Sequence, residues 1–134
     1  LNLKGTFLCT KAVAPHMISH RAGHIINVGS GQGQYGSKGS CNYAAAKAGI
    51  VGFMKGSAPE LGDHNVQMVT VMPGLILHKN SRAAGREDKI ERLKNANLLH
   101  GHSNAQEFAE TVWHLTGLQH ISGQLINTDS RILS

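Results

Sequence analysis

Gly23-His24-Ile25-Ile26-Asn27-Val28-Gly29-Ser30 is the stretch on which the architecture turns. Its β-branched centre is entered from a glycine and left through Gly29-Ser30-Gly31, the pattern of a short buried strand. A run that is apolar on both faces suits a parallel sheet, because crossover helices cover both sides of such a sheet. Val66 to Met72 repeats the pattern and stops at Pro73-Gly74, where proline cannot donate to a sheet ladder.

Helical periodicity surrounds both strands. Leu3, Phe7, Leu8, Val13, Met17 and Ile18 recur at mostly three- and four-residue intervals, which predicts an amphipathic helix over 3–20 ending near Arg21-Ala22-Gly23. Pro15 removes one backbone donor inside it, so a kink or tightened turn is expected there. Residues 31–40 carry Gly31, Gly33, Gly36 and Gly39 among polar side chains and read as a loop over a site. Asn42 is placed to cap a long helix running through Lys47 towards Leu61 and ending at Gly62, with a local kink at Pro59. Residues 79–104 are charged, polar and weakly periodic, and read as a mobile helical flap. Ala105 to Leu118 reads as a further helix, and Gln124 to Thr128 as a last strand. This alternation, with right-handed crossovers, is the rhythm of a doubly wound α/β sheet.

With 134 residues the chain is long enough for one small hydrophobic core, so a single domain over 1–134 is expected. The formal charge of +5 comes from scattered basic residues that do not alternate with aromatics. That argues against a nucleic-acid surface, and an anionic cofactor or substrate accounts for it as well. Apolar stretches are too short to cross a bilayer and no leader opens the chain, so a cytoplasmic protein without membrane contact is expected. Cys9 and Cys41 form no C-x-x-C pair and read as free thiols. His16 and His20 share a helical face but lack a further ligand, so no metal site is expected.

Tyr43-Ala44-Ala45-Ala46-Lys47 puts a phenol and an ammonium one above the other on a helix. A phenol, with a reference pKa of about 10, is a poor proton donor or acceptor at neutral pH unless a cation stabilises its anion. Lys47 can supply that cation, leaving Tyr43 to act as general acid or base. Ser30 stands at the carboxyl end of a strand, where open α/β sheets bind ligands. Its hydroxyl either holds a substrate oxygen or simply caps the strand-to-loop turn.

In this order and spacing the chain resembles the short-chain dehydrogenase/reductase family over nearly its whole length. The helix from Asn2 to Met17 resembles the family's fourth helix. Gly23 to Ser30 resembles the strand bearing the catalytic serine, and Asn42-Tyr43-Ala44-Ala45-Ala46-Lys47-Ala48-Gly49 the active-site helix. Val71-Met72-Pro73-Gly74-Leu75-Ile76 resembles the segment that closes over a nicotinamide, and Ser122-Gly123-Gln124-Leu125-Ile126-Asn127 the final strand. Within the family the chain is similar to the group containing the 3-oxoacyl-[acyl-carrier-protein] reductases.

The resemblance implies a Rossmann-like fold and an NAD(P)-dependent oxidoreductase that interconverts a ketone, such as a 3-oxoacyl thioester, and a secondary alcohol. It makes Tyr43 the proton donor and Ser30 the residue orienting the carbonyl. Lys47 would serve both the phenol and the nicotinamide ribose, and Asn2 would hold a water on a proton path. Pro73, Gly74 and Ile76, with Tyr43 and Lys47, would contact NAD or NADP, and the 79–104 flap would close over substrate. A homodimer or homotetramer through helices 3–20 and 42–61 is also implied.

The family's glycine-rich pyrophosphate turn does not occur in this sequence, so the chain reads as a carboxy-terminal half of the domain that by itself should neither turn over nor, with an open sheet edge, be very soluble. His78 stands where relatives usually carry threonine, and Asp129-Ser130-Arg131 replaces their common Asp-Gly-Gly, so either the carboxy-terminal contacts are expected to differ from theirs or Arg131 to reach an anionic ligand. Two other readings stand beside this one. One is oxidation of a sugar, polyol or steroid alcohol in the same site; the other is an inactive truncated homologue that serves as an interaction subunit.

Overall fold

The computed structural model describes residues 2–77 and 87–131. Helix α1 (Asn2–His20) leads through a left-handed Arg21 into strand β1 (Gly23–Val28). A one-turn helix α2 (Gln32–Tyr35) follows, then the long α3 (Cys41–Gly62) and β2 (Val66–Pro73). The chain closes with α4 (Glu87–Asn95), α5 (Ala105–Thr116) and β3 (Leu125–Thr128). The strands form one parallel sheet in the order β1-β2-β3, with Ile25 opposite Met68 and Val71 opposite Ile126.

Helices cover both faces, as the two β-branched runs predict. On one face Ile25, Met54, Ala58, Leu61, Val66 and Met68 pack with Met17, Ile18 and Phe53 from α1 and α3. On the other, Val69, Val71 and Leu115 pack with Phe108, Ile121 and Ile126, so α5 closes that side. Buried residues therefore alternate between two cores along β2, and each large side chain fully removed from water contributes about 1.5–3 kcal/mol. β1 pairs with β2 on one edge only among the described residues.

Small residues set the helix spacing. A Cβ on Gly49 would lie 2.7 Å from a Leu3 methyl, so a side chain there would make Leu3 of α1 turn aside from α3. α1 runs as one helix with Pro15 inside it, and α3 does the same with Pro59.

Two expectations are corrected. Ser40, not Asn42, caps α3: the Ser40 carbonyl accepts the Ala44 N–H at 2.8 Å, so the helix already begins at Cys41. The Asn42 side chain instead accepts the Tyr43 N–H at 2.8 Å. Second, the glycine-rich loop contains a helical turn, α2, which stands on α3. The stretch after α4, the later part of the expected flap, makes backbone contacts with the end of β3 and with Leu75. Asn97 bridges Arg131, Leu98 N–H donates to the Ser130 carbonyl at 3.1 Å, and Ser103 N–H donates to the Leu75 carbonyl at 2.8 Å. These ties join residues about thirty positions apart through backbone groups and leave no local sequence signal. His78 and residues 79–86 of the expected flap lie outside the described residues.

Candidate active site

The carboxyl ends of β1 and β2 open into a cavity of about 710 Å³, within the range of ordinary small-molecule sites. It collects most of the predicted residues: Ser30, Tyr43, Lys47, Pro73, Gly74 and Ile76 all line it. Asn2 does not. It lies exposed in the first turn of α1, where its carbonyl accepts the Thr6 hydroxyl at 2.9 Å.

Lys47 is buried, and its ammonium donates to the Val28 carbonyl at 2.8 Å, which fixes the side chain across the end of β1. Its Nζ lies 5.7 Å from the centre of the Tyr43 ring, one helical turn earlier. Burial lowers the Lys47 pKa from the ordinary value of 10.5, because a desolvated ammonium is disfavoured. The folded protein therefore releases this proton before the unfolded chain does. Lys47 consequently makes stability rise with pH between its depressed folded value and 10.5, where the unfolded chain still holds the proton. Titration of the Lys47 Nζ by nitrogen-detected NMR is expected to show a midpoint below that of the exposed lysines; a midpoint equal to theirs would contradict the burial.

Tyr43 is 37 % exposed, and its hydroxyl bonds to no protein group among the described residues, so it is free to meet a ligand. Ser30 accepts the Gln32 N–H on its hydroxyl oxygen at 3.3 Å. The capping role foreseen from sequence is thus present. An oxygen that accepts there keeps its own proton for donation, so the two roles are compatible.

α2 holds this arrangement in place. A Cβ on Gly33 would fall 2.8 Å from the Lys47 carbonyl carbon and the Ala48 nitrogen, so the turn rests directly on the backbone of α3 beside the lysine. Gly33→Ala is expected to push α2 off α3 and to cost about 1–3 kcal/mol, read as a lowered thermal unfolding midpoint. An unchanged midpoint would show that the contact is slack.

Beyond β2, the bridge between Ile76 and Ser103 runs through the Leu75 carbonyl and leaves the Ile76 N–H and carbonyl out of it. Among the described residues these two backbone groups at the mouth of the cavity have no partner. Sequence reasoning did not place Gln32, Tyr35, Ser37 and Leu93 in the lining. Tyr35 was the most accessible of these to foresight, an aromatic five residues after Ser30. Asn27 Nδ2 and Thr70 Oγ1 are buried without partners among the described residues. They occupy paired positions of β1 and β2, next to the Val28 carbonyl that receives Lys47, so the core turns polar as it nears the cavity. No group of metal-ligating side chains and no membrane-crossing helix occurs among the described residues.

The short chain dehydrogenase family model matches residues 1–90. A 3-oxoacyl-[acyl-carrier-protein] reductase of Synechocystis is 37% identical over 132 residues, covering 96% of this chain and 52% of the relative. A protein of the same description from Thermotoga maritima is 35% identical, covering 99% of this chain and 54% of its own length. The crystal structure of a 3-oxoacyl-[acyl-carrier protein] reductase from Brucella melitensis superposes with a TM-score of 0.91 at 27% identity, covering 99% of this chain and 50% of that one. The chain spans about half the length of the curated relatives it matches.

Proposed function

Because this chain belongs to the short-chain dehydrogenase family, we propose that the cavity is the chemical half of an NAD(P)-dependent oxidoreductase site that interconverts a ketone and a secondary alcohol. The observation that carries the reading is Lys47: a buried ammonium, anchored on Val28 and one turn from an exposed phenol in a cavity, has no structural need to be charged.

The nicotinamide, when bound, supplies or accepts the hydride. This chain's residues do the rest. Pro73, Gly74 and the backbone groups of Ile76 would hold the carboxamide end, and Lys47 would reach the ribose without leaving its tether. Ser30 donates its unused hydroxyl proton to the substrate carbonyl and fixes its direction. Tyr43 delivers its proton to the same oxygen as negative charge develops there, and the Lys47 ammonium faces the phenolate left behind. Donors preset around an oxygen that becomes anionic stabilise the transition state more than the ground state. In the oxidative direction the same groups act in reverse, with Tyr43 as base. Asn2 would hold a water that refills the proton from outside the cavity.

The 3-oxoacyl thioesters are the substrate class we favour, since both named relatives carry that description. Residues 79–104 would close over the acyl chain, with Leu93 already in the lining. Pairing of α1 and α3 with a second copy, in a dimer or tetramer, is supported by Leu3, Phe7, Leu8 and Val13, which α1 leaves exposed. The test is a substrate profile of the gene product that carries this chain, with NADH and with NADPH, over a 3-oxobutanoyl thioester, a steroid ketone and a polyol. Preferred reduction of the thioester supports the assignment; preferred turnover of either other substrate moves it to that class.

A further inference from the structure

Among the described residues two cations, Lys47 and Arg131, line the cavity, and no carboxylate does. Lys47 is committed to the Val28 carbonyl and the phenol, but Arg131 has no part in the proton transfer. It follows β3, stands on the far side of β2 from Tyr35, and reaches across the cavity until its guanidinium lies 6.0 Å from the Tyr35 ring centre. Tyr35 belongs to the turn that follows Ser30, so the guanidinium sits where a substrate oriented by Ser30 would extend.

Its placement is built rather than incidental. Nε and Nη2 both donate to the Asp129 carboxylate, whose side chain is only 2% exposed against 12% for Arg131. The Arg131 N–H also donates to Asp129, at 3.1 Å. Asn97 bridges the Arg131 backbone, and the Ser130 hydroxyl donates to the Asn97 side chain at 3.2 Å. The bond to Asp129 raises the Arg131 pKa, so the group is cationic throughout the physiological range. Nη1 has no partner among the described residues. A guanidinium that spends Nε and Nη2 on a buried carboxylate while lining a cavity keeps Nη1 for a second anion.

We propose that Arg131 is a specificity-determining residue that, among ketones reaching this cavity, prefers those bearing a carboxylate or another planar anionic oxygen group near the ketone over neutral ones such as the 3-oxoacyl thioesters, with Asp129 as its positioning residue. The proposal rests on the reading of the cavity as a carbonyl-reducing site, and its test is kept separable from that reading. The probes are 4-oxopentanoate and its methyl ester, which share a ketone and differ in charge. Binding is measured by ligand-observed NMR on the gene product, and turnover separately by nicotinamide consumption. The wild type is expected to bind the acid at least about tenfold more tightly than the ester, as one charge-assisted bond allows. In the Asp129→Asn, Arg131→Met double variant, which removes both charges and strands neither, the preference should fall to within about twofold. Arg131→Lys, which keeps the charge without the fork, should retain part of it.

Equal binding of acid and ester by the wild type overturns the proposal, as does a preference that survives in the double variant. Loss of an NADP-over-NAD preference in that variant, with acid and ester binding alike in the wild type, would put the guanidinium on the cofactor's phosphate and also overturn it. Selective binding without turnover supports the anion site and counts against the oxidoreductase reading instead.

Discussion

Tyr43→Phe is expected to lower kcat by about 10²–10⁴-fold, the usual contribution of a positioned general acid, while leaving the thermal unfolding midpoint unchanged. The stability half of this expectation follows from the fold. Tyr43 is 37 % exposed, and its hydroxyl bonds to no protein group among the described residues, so removing one oxygen strands no buried partner. The activity half follows from the chemistry: a ring without the hydroxyl has no proton to give an alkoxide, and Ser30 alone is left to stabilise that charge. The cofactor's Kd should change little. Normal turnover in the variant would remove Tyr43 from the mechanism.

Lys47→Met is expected to fail differently. The loss in kcat should be of similar size, about 10²-fold or more, and the cofactor should bind more weakly as well, because in the proposed mechanism the same ammonium would serve the phenol and the ribose. Stability is a balance of opposing terms. The variant loses a charged hydrogen bond to the Val28 carbonyl, worth about 1.5–3 kcal/mol, and strands that carbonyl. It is also relieved of the cost of burying the ammonium, the cost that lowers the Lys47 pKa. The two nearly offset at neutral pH, so the unfolding free energy should move by no more than about 1 kcal/mol. The alkaline rise in stability attributed to Lys47 should disappear. A kcat loss with unchanged cofactor affinity would confine Lys47 to the proton step, and an intact alkaline rise would assign that rise to another group. Lys47→Arg is not expected to rescue, since a planar guanidinium does not replace an ammonium on a single carbonyl.

The parts of this molecule that the sequence makes legible are those held by repetition. Ile25, Ile26 and Val28, then Val66 to Met72, announce a parallel sheet because both faces of β2 are buried, and burial on two faces needs an unbroken apolar run. Tyr43 and Lys47 are legible because a spacing of four on a helix guarantees a shared face. What was missed depends on single contacts between distant residues. α2 forms because Gly33 lets the turn sit against Lys47 and Ala48, a fact about the gap between two elements rather than about the five residues after Ser30. Asn97 reads as an ordinary polar residue, yet it fastens the segment before α5 to the end of β3. Arg131 stands out in the sequence because it replaces a glycine of the relatives, but its alignment over Tyr35 is set by the fold.

The most direct test of the central claim is isotopic. The gene product that carries this chain is given a 3-oxobutanoyl thioester and NADH or NADPH deuterated at the transferable position of the nicotinamide, and the hydroxy product is analysed by mass spectrometry. One deuterium on the carbinol carbon, lost together with product formation in Tyr43→Phe, is the predicted result. Hydroxy product without deuterium, or deuterated product at the wild-type rate from Tyr43→Phe, would contradict the account.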